Sequence, residues 1–165
     1  MSAVGSWSDF VYNIQNQWYK TSGTHKVKNV CQHAAIVGLD GAVWAASSSW
    51  PGFHEYDHAC ENEDGSSVNI KMKEMESVLG AIKGNRNPTK AGIRMNKTKF
   101  VFVTHEPSTN MVILSKQGGG ATIVKTNKAL VVGVWDKDTQ RSDGQPQDGG
   151  TCTMMTERVG KFMTE

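Results

Sequence analysis

The chain has 165 residues, a formal net charge of +2, 38% hydrophobic residues and 21% charged residues, the size and balance of one globular domain with one core. So weak a positive charge does not supply the clustered basic face of a nucleic-acid binder, and no apolar run approaches the roughly 18 residues of a membrane-spanning helix. Cys31, Cys60 and Cys152 are widely spaced and form no Cys-x-x-Cys or Cys/His finger pattern. They read as free thiols of a reducing compartment. With no signal-peptide pattern after Met1-Ser2-Ala3, the expected location is cytoplasmic.

Ser6-Trp7-Ser8-Asp9 reads as a helix start, with Ser6 as N-cap and Asp9 near the positive end of the helix dipole. Trp7, Phe10, Val11, Ile14 and Trp18 recur at helical spacing and predict one amphipathic helix, ended by Thr21-Ser22-Gly23-Thr24. Cys31–Gly38 and Ala42–Ser48 then read as strands around an Asp40-Gly41 turn, a strong hairpin signal because Gly supplies positive φ without steric cost. Strand alternation sets Trp44 on the face opposite Val43.

Ile70–Ile82 carries Met72, Met75, Val78, Leu79 and Ile82 at helical spacing and predicts a second helix, closed by Gly84-Asn85-Arg86-Asn87-Pro88. Lys99–Thr104, Met111–Leu114, Ala121–Lys125 and Ala129–Val134 read as four strands whose short connections imply an antiparallel meander. A last helix is expected from about Thr153, with Met155, Val159, Phe162 and Met163 on one side. Phe53–Asn69, acidic through Glu55, Asp57, Glu61, Glu63 and Asp64, and Asp136–Gly150 lack periodicity and read as exposed loops. The expectation is a single α+β domain over residues 1–165, helices laid against an antiparallel sheet.

No catalytic motif assembles. The chain has no Gly-x-Ser-x-Gly, no His-Glu-x-x-His and no phosphate-binding loop, and Gly118-Gly119-Gly120 precedes a strand, where no helix N-terminus can hold phosphate. His54, His58 and Cys60 lie close in sequence, but their polar surroundings favour a solvated acidic insert over a zinc site. No metal or cofactor is expected.

Trp7, Phe10, Trp44 and Phe162 each read alone as core residues. As a set on two terminal helices and a hairpin they form a candidate aromatic groove for polyproline II segments, whose preformed backbone loses little entropy on docking. Lys97, Lys99, Lys116, Lys125, Lys128, Lys137, Arg94 and Arg158 are singly solvated charges. Converging on one face, they would meet an acidic protein or an anionic headgroup.

Three stretches resemble the profilin family. Ser6-Trp7-Ser8-Asp9-Phe10-Val11 is similar to its N-terminal helix, and Ala34-Ala35-Ile36-Val37-Gly38 with Asp40-Gly41 and Val43-Trp44-Ala45 to its most recognisable hairpin. Ala121–Thr126, Ala129–Gly133 and Cys152–Gly160, with Met154, Glu157-Arg158 and Val159-Gly160, resemble its last strands and last helix. The resemblance implies a central antiparallel sheet with the terminal helices side by side on one face and a shorter helix on the other. It implies binding of monomeric actin, promotion of nucleotide exchange on actin, and binding of proline-rich proteins such as formin-type assembly factors, in the cytoplasm and cytoskeleton and without enzymatic activity.

By the same resemblance, Trp7, Phe10, Trp44 and Phe162 line the polyproline site. Lys99, Val101, Val103, Lys116, Gly150, Thr153, Glu157 and Arg158 face actin, and Lys99, Lys116 and Lys125 meet phosphoinositides. The pattern departs from the family in insertions near 53–69 and 136–150, which bear on actin or lipid contacts, and in the lack of an aromatic beyond Phe162 and of a hydroxyl or imidazole at Phe10 and Phe162, from which weaker or altered polyproline binding is expected. Two other readings stand beside it. One is a longin- or roadblock-type α+β scaffold acting in trafficking or complex assembly. The other is a metal- or thiol-dependent enzyme built on His54, His58 and Cys60.

Overall fold

The computed structural model describes residues 6–19 and 24–164, without the side chains of residues 17–19 and 24–26. Helix α1 (Trp7–Gln15) begins at a capping box in which the Ser6 hydroxyl accepts from the Asp9 N–H at 3.2 Å and the Asp9 carboxylate accepts from the Ser6 N–H at 3.1 Å. It stops earlier than its apolar spacing predicts. Asn16 turns to extended backbone and donates its side-chain amide to the Tyr12 carbonyl at 2.8 Å. Trp18 therefore lies in β1 (Gln17–Tyr19), which pairs with β2 (Thr24–Val27). The predicted stop at Thr21-Ser22-Gly23 falls outside the described residues.

The main sheet has seven strands in the order β4-β3-β11-β10-β9-β8-β7. Its members are β3 (His33–Gly38), β4 (Val43–Ala46), β7 (Ile93–Met95), β8 (Thr98–Glu106), β9 (Met111–Lys116), β10 (Gly119–Lys125) and β11 (Ala129–Asp136). Every paired neighbour is antiparallel. The Asp40-Gly41 turn forms as expected, with Gly41 at φ 92° and the Gly38 N–H donating to the Ala42 carbonyl at 2.7 Å. Short β7 was not foreseen, because three residues between two turns carry no readable period.

Helices α1 and α3 (Gly149–Thr164) pack on one face of this sheet and on each other. The core beneath them holds Ile14, Ile36, Val131 and Met155. Burying a side chain such as Ile14 fully contributes about 1.5–3 kcal/mol. Helix α2 (Glu74–Ile82) covers the opposite face over Phe100, Phe102, Leu114, Ile123 and Val132. Helix α3 starts a turn earlier than Thr153 because Asp148 caps it, accepting from the Thr151 N–H at 2.7 Å. Its approach to the sheet is close: a Cβ on Gly133 would lie 2.1 Å from Thr156 Oγ1, so only glycine fits beneath the helix.

Two further sequence expectations are corrected. Phe53–Asn69 is not a loop: β5 (Glu55–Glu61) and β6 (Ser67–Lys73) form a hairpin in full register, closed by a turn with Gly65 at φ 86°. The predicted helix over Ile70–Ile82 is strand up to Lys73 and helix only from Glu74. Met72 falls at helical spacing from Met75, which extended the apparent pattern backwards. The junction is fixed by Glu74, fully buried at the α2 N-terminus, where no Lys73 side-chain cap exists. Its carboxylate accepts from the His54 N–H, the Tyr56 hydroxyl and the Lys97 N–H, each at 2.8 Å. One charge thus roots the hairpin, starts the helix and anchors the tight turn before β8. The segment after Asp136 is irregular as expected, yet held. Gln147 is buried, accepting from the Asp136 N–H at 3.0 Å and donating to the Asn29 carbonyl at 2.9 Å, and Arg141 pairs with Asp143 and Asp148.

Candidate functional site

Trp44 is placed by a bulge. Ile36 pairs with Ala45 and Val37 with Val43, so Trp44 is the extra residue of β4, and a bulge of this kind re-aims its side chain. Val43 faces solvent, while Trp44 turns to the side of the sheet that carries the terminal helices. Its indole crosses Gly38: a Cβ there would lie 2.8 Å from Trp44 Nε1. Gly38 is a residue that sequence reasoning missed as part of the site. The signal was present as a glycine inside an otherwise apolar strand, one mark of a close approach.

The structure brings the four aromatics into one row. Ring centroids lie 4.8 Å apart for Trp44 and Trp7, 5.6 Å for Trp7 and Phe10, and 5.5 Å for Phe10 and Phe162. All the pairs are tilted, within the range where aromatic pairs contribute about 0.5–1.5 kcal/mol beyond burial. Phe10 is buried at 8% exposure, whereas Trp7 at 42% and Phe162 at 52% present their rings to solvent. Phe10 is the floor that seats the two exposed rings.

A second surface lies where α3 leaves the sheet uncovered. Phe100 and Phe102 of β8 point into the α2-side core, so alternation sends Lys99 and Val101 to the α3 side, and Val103 is the extra residue of a bulge opposite Ile113. Val101 is 60% and Val103 48% exposed, an apolar pair separated by β9 from the β10 strand that α3 covers. Thr153 is fixed there by its 2.7 Å hydrogen bond to Thr122. Glu157 sits one turn on, near Lys161 at 4.0 Å; Arg158 is exposed, and Gly150 is exposed at the start of α3.

Lys116 does not join this surface. It follows the α2-side alternation of Leu114, and its charge is felt by His33. Lys116 pairs with Gly119 at one end of β10, while Lys125 ends the same strand, about 20 Å away at 3.3–3.4 Å per residue. Lys99, Lys116 and Lys125 therefore form no single cluster. His58 and Cys60 share the half-buried face of β5, and His54 precedes the strand. Among the described residues no three His, Cys, Asp or Glu side chains converge as metal ligands, and no helix is long and apolar enough to cross a membrane.

Comparison with solved structures gives the fold independently. Acanthamoeba castellanii profilin II superposes with a TM-score of 0.56 at 22% identity, over 96% of this chain and 97% of that one. Profilin IB of the same organism gives 0.57 at 20% identity, over 96% and 97%. Mouse profilin IIa, in complex with a double repeat from the FH1 domain of mDia1, gives 0.53 at 17% identity, over 97% of each chain. At these identities the likeness is one of fold. The profilin family model matches residues 6–165: capping box, hairpin, aromatic row and terminal helix all lie within it, and the chain belongs to the profilin family.

Proposed function

We propose that this chain binds proline-rich segments along the Trp44–Trp7–Phe10–Phe162 row and monomeric actin on the surface formed by β8 and α3, and that it acts by binding, not catalysis. The observation that carries the reading is the unbroken row of ring contacts with Trp7 and Phe162 exposed at its surface. A core cluster would bury those rings. A groove wall leaves them out, where a polyproline II helix can lie across their faces and the indole N–H groups can donate to its free carbonyls. The mouse profilin IIa structure, solved with an FH1 repeat, supports a proline-rich ligand of the formin type.

The actin half rests on the exposed Val101 and Val103 together with Thr153, Glu157 and Arg158, an apolar centre with a charged rim. Binding there changes which filament end can accept the monomer. Preferring the open nucleotide cleft would also speed exchange, since a ligand shifts an equilibrium toward the state it binds better. Phosphoinositide headgroups are a third ligand class, met by Lys99 and Lys125 as separate charges. The working location is the cytoplasm and its actin cytoskeleton.

Retention on polyproline resin tests the groove. The wild type is expected to be retained and Trp44→Ala to elute early; equal retention of the two would remove the aromatic row from the proposal. Pyrene-actin assembly tests the second surface. Wild type and Trp44→Ala are both expected to lower the assembly rate, and no effect of the wild type on assembly would remove the actin reading.

A further inference from the structure

Cys31, which precedes β3, and Cys152, in the first turn of α3, are 121 residues apart in sequence, yet their sulfurs lie 3.0 Å from one another. Both are fully buried. Cys31 Sγ also lies 3.4 Å from the Ile14 carbonyl oxygen at the end of α1. Gly133 closes the same space, since a Cβ there would come within 3.1 Å of Cys152 Sγ and 3.3 Å of Ile14. The two thiols thus sit where α1, α3 and the sheet meet, beneath the layer that carries both proposed surfaces. About 1 Å of approach separates this contact from the 2.03–2.05 Å of a disulfide bond.

We propose that Cys31 and Cys152 form a reversible dithiol lock, closed by a hydroperoxide into an intrachain disulfide that ties the start of α3 to the flank of β3. One thiolate attacks a peroxide oxygen; the O–O bond breaks and leaves a sulfenic acid and, for hydrogen peroxide, one water. The second thiol sulfur then displaces the sulfenic oxygen, forming the S–S bond and releasing a second water. Two thiols lose two protons and two electrons, and the peroxide is reduced to two waters.

Complete burial favours an oxidant of this size over a bulky disulfide such as oxidised glutathione. Burial, with Cys152 as its hydrogen-bonding and electrostatic neighbour, pushes the Cys31 thiol up. The closed fold therefore reacts slowly, and oxidation proceeds through brief opening of the first turn of α3. A link of this kind suits a cytosolic protein, where disulfides are transient and redox-sensing. The lock forms whichever ligands the two surfaces take.

The test is hydrogen peroxide treatment of the whole chain, followed by thiol titration under denaturing conditions, a non-reducing peptide map and thermal unfolding. Of the three thiols, one is expected to remain, on Cys60, with the Cys31 and Cys152 peptides joined. Closing so long a loop should raise Tm by roughly 5–15 °C, reversed by a dithiol reductant. Cys60→Ser should keep both the link and the shift; Cys31→Ser and Cys152→Ser should lose both. Should either variant fail to fold, the wild-type map still decides. Persistence of Cys31 and Cys152 as thiols while Cys60 is oxidised would overturn the proposal, and so would a link that leaves Tm unchanged.

Discussion

Two tryptophan clusters lie on opposite faces of the sheet and differ in what covers them. On the terminal-helix face, Trp44, Trp7, Phe10 and Phe162 come from three separate elements, and the rings of Trp7 and Phe162 stand in solvent. On the α2 face, Trp50 meets Phe53 edge-on at 5.5 Å and His33 at 6.5 Å. There Trp50 and Phe53 pack against the core, and the buried Trp50 indole N–H has no hydrogen-bond partner among the described residues. The same residue types serve two ends. Aromatics brought together by a short connection pack half-buried against the core, whereas aromatics gathered from α1, β4 and α3 onto one edge leave the rings of Trp7 and Phe162 in solvent.

Truncating one member of each cluster separates their roles. Trp44→Ala or Trp7→Ala should weaken polyproline binding by about 30-fold or more, a hot-spot loss of about 2 kcal/mol, measured by calorimetry. Trp50→Ala should leave that affinity unchanged and lower unfolding stability by about 2–4 kcal/mol in a urea titration. The reverse pattern would exchange the roles assigned to the two clusters. Glu74→Ala should cost about 2–4 kcal/mol as well, because it strands the His54 and Lys97 N–H groups and removes an acceptor from the Tyr56 hydroxyl. Polyproline affinity should not follow, since Glu74 serves the α2 face.

Two smaller effects sharpen the contrast. Gly38→Ala keeps every aromatic but sets a methyl group 2.8 Å from Trp44 Nε1, so polyproline affinity should fall about 5–10-fold as the indole is displaced; unchanged affinity would show that Trp44 does not need its seat. The smallest concerns His33, held below its ordinary value of 6.5 by partial burial and then by Lys116, against the opposing pull of Asp136. A lowered pKa means that the unfolded chain takes the proton first. His33 therefore costs stability only as pH falls below about 6.5. A proton NMR titration should give a midpoint below 6.5, and a midpoint at or above it would contradict this placement.

The terminal-helix face was largely legible in the sequence. The Ser6/Asp9 capping box, the apolar spacing of Phe10, Val11 and Ile14, and the Asp40-Gly41 turn each act over a few residues, and local signals of that kind survive without tertiary context. The β5–β6 hairpin was not legible, although it carries the same Asp-Gly pair at Asp64-Gly65. Its inward positions, Tyr56, His58 and Cys60, are too polar to show alternation against the acidic residues between them. Glu74 was hidden because a buried carboxylate is defined by donors from His54, Tyr56 and Lys97, distant in sequence. Gathering the four aromatics was expected from the periodicity of two helices and one hairpin. What periodicity could not supply was the bulge that turns Trp44, the glycine beneath it, and which rings stay exposed. Cys31 and Cys152 looked unrelated for the same reason: their contact exists only once α3 lies on the sheet.

The proposed polyproline site is the aromatic row on the terminal-helix face, Trp44, Trp7, Phe10 and Phe162. It is tested most directly by following the indole N–H resonances of the five tryptophans in nitrogen-15-labelled protein during titration with a polyproline peptide. The Trp7 and Trp44 signals should shift in a saturable way while Trp50 stays in place. Binding with Trp7 and Trp44 unmoved, or with Trp50 responding in their stead, would contradict that placement.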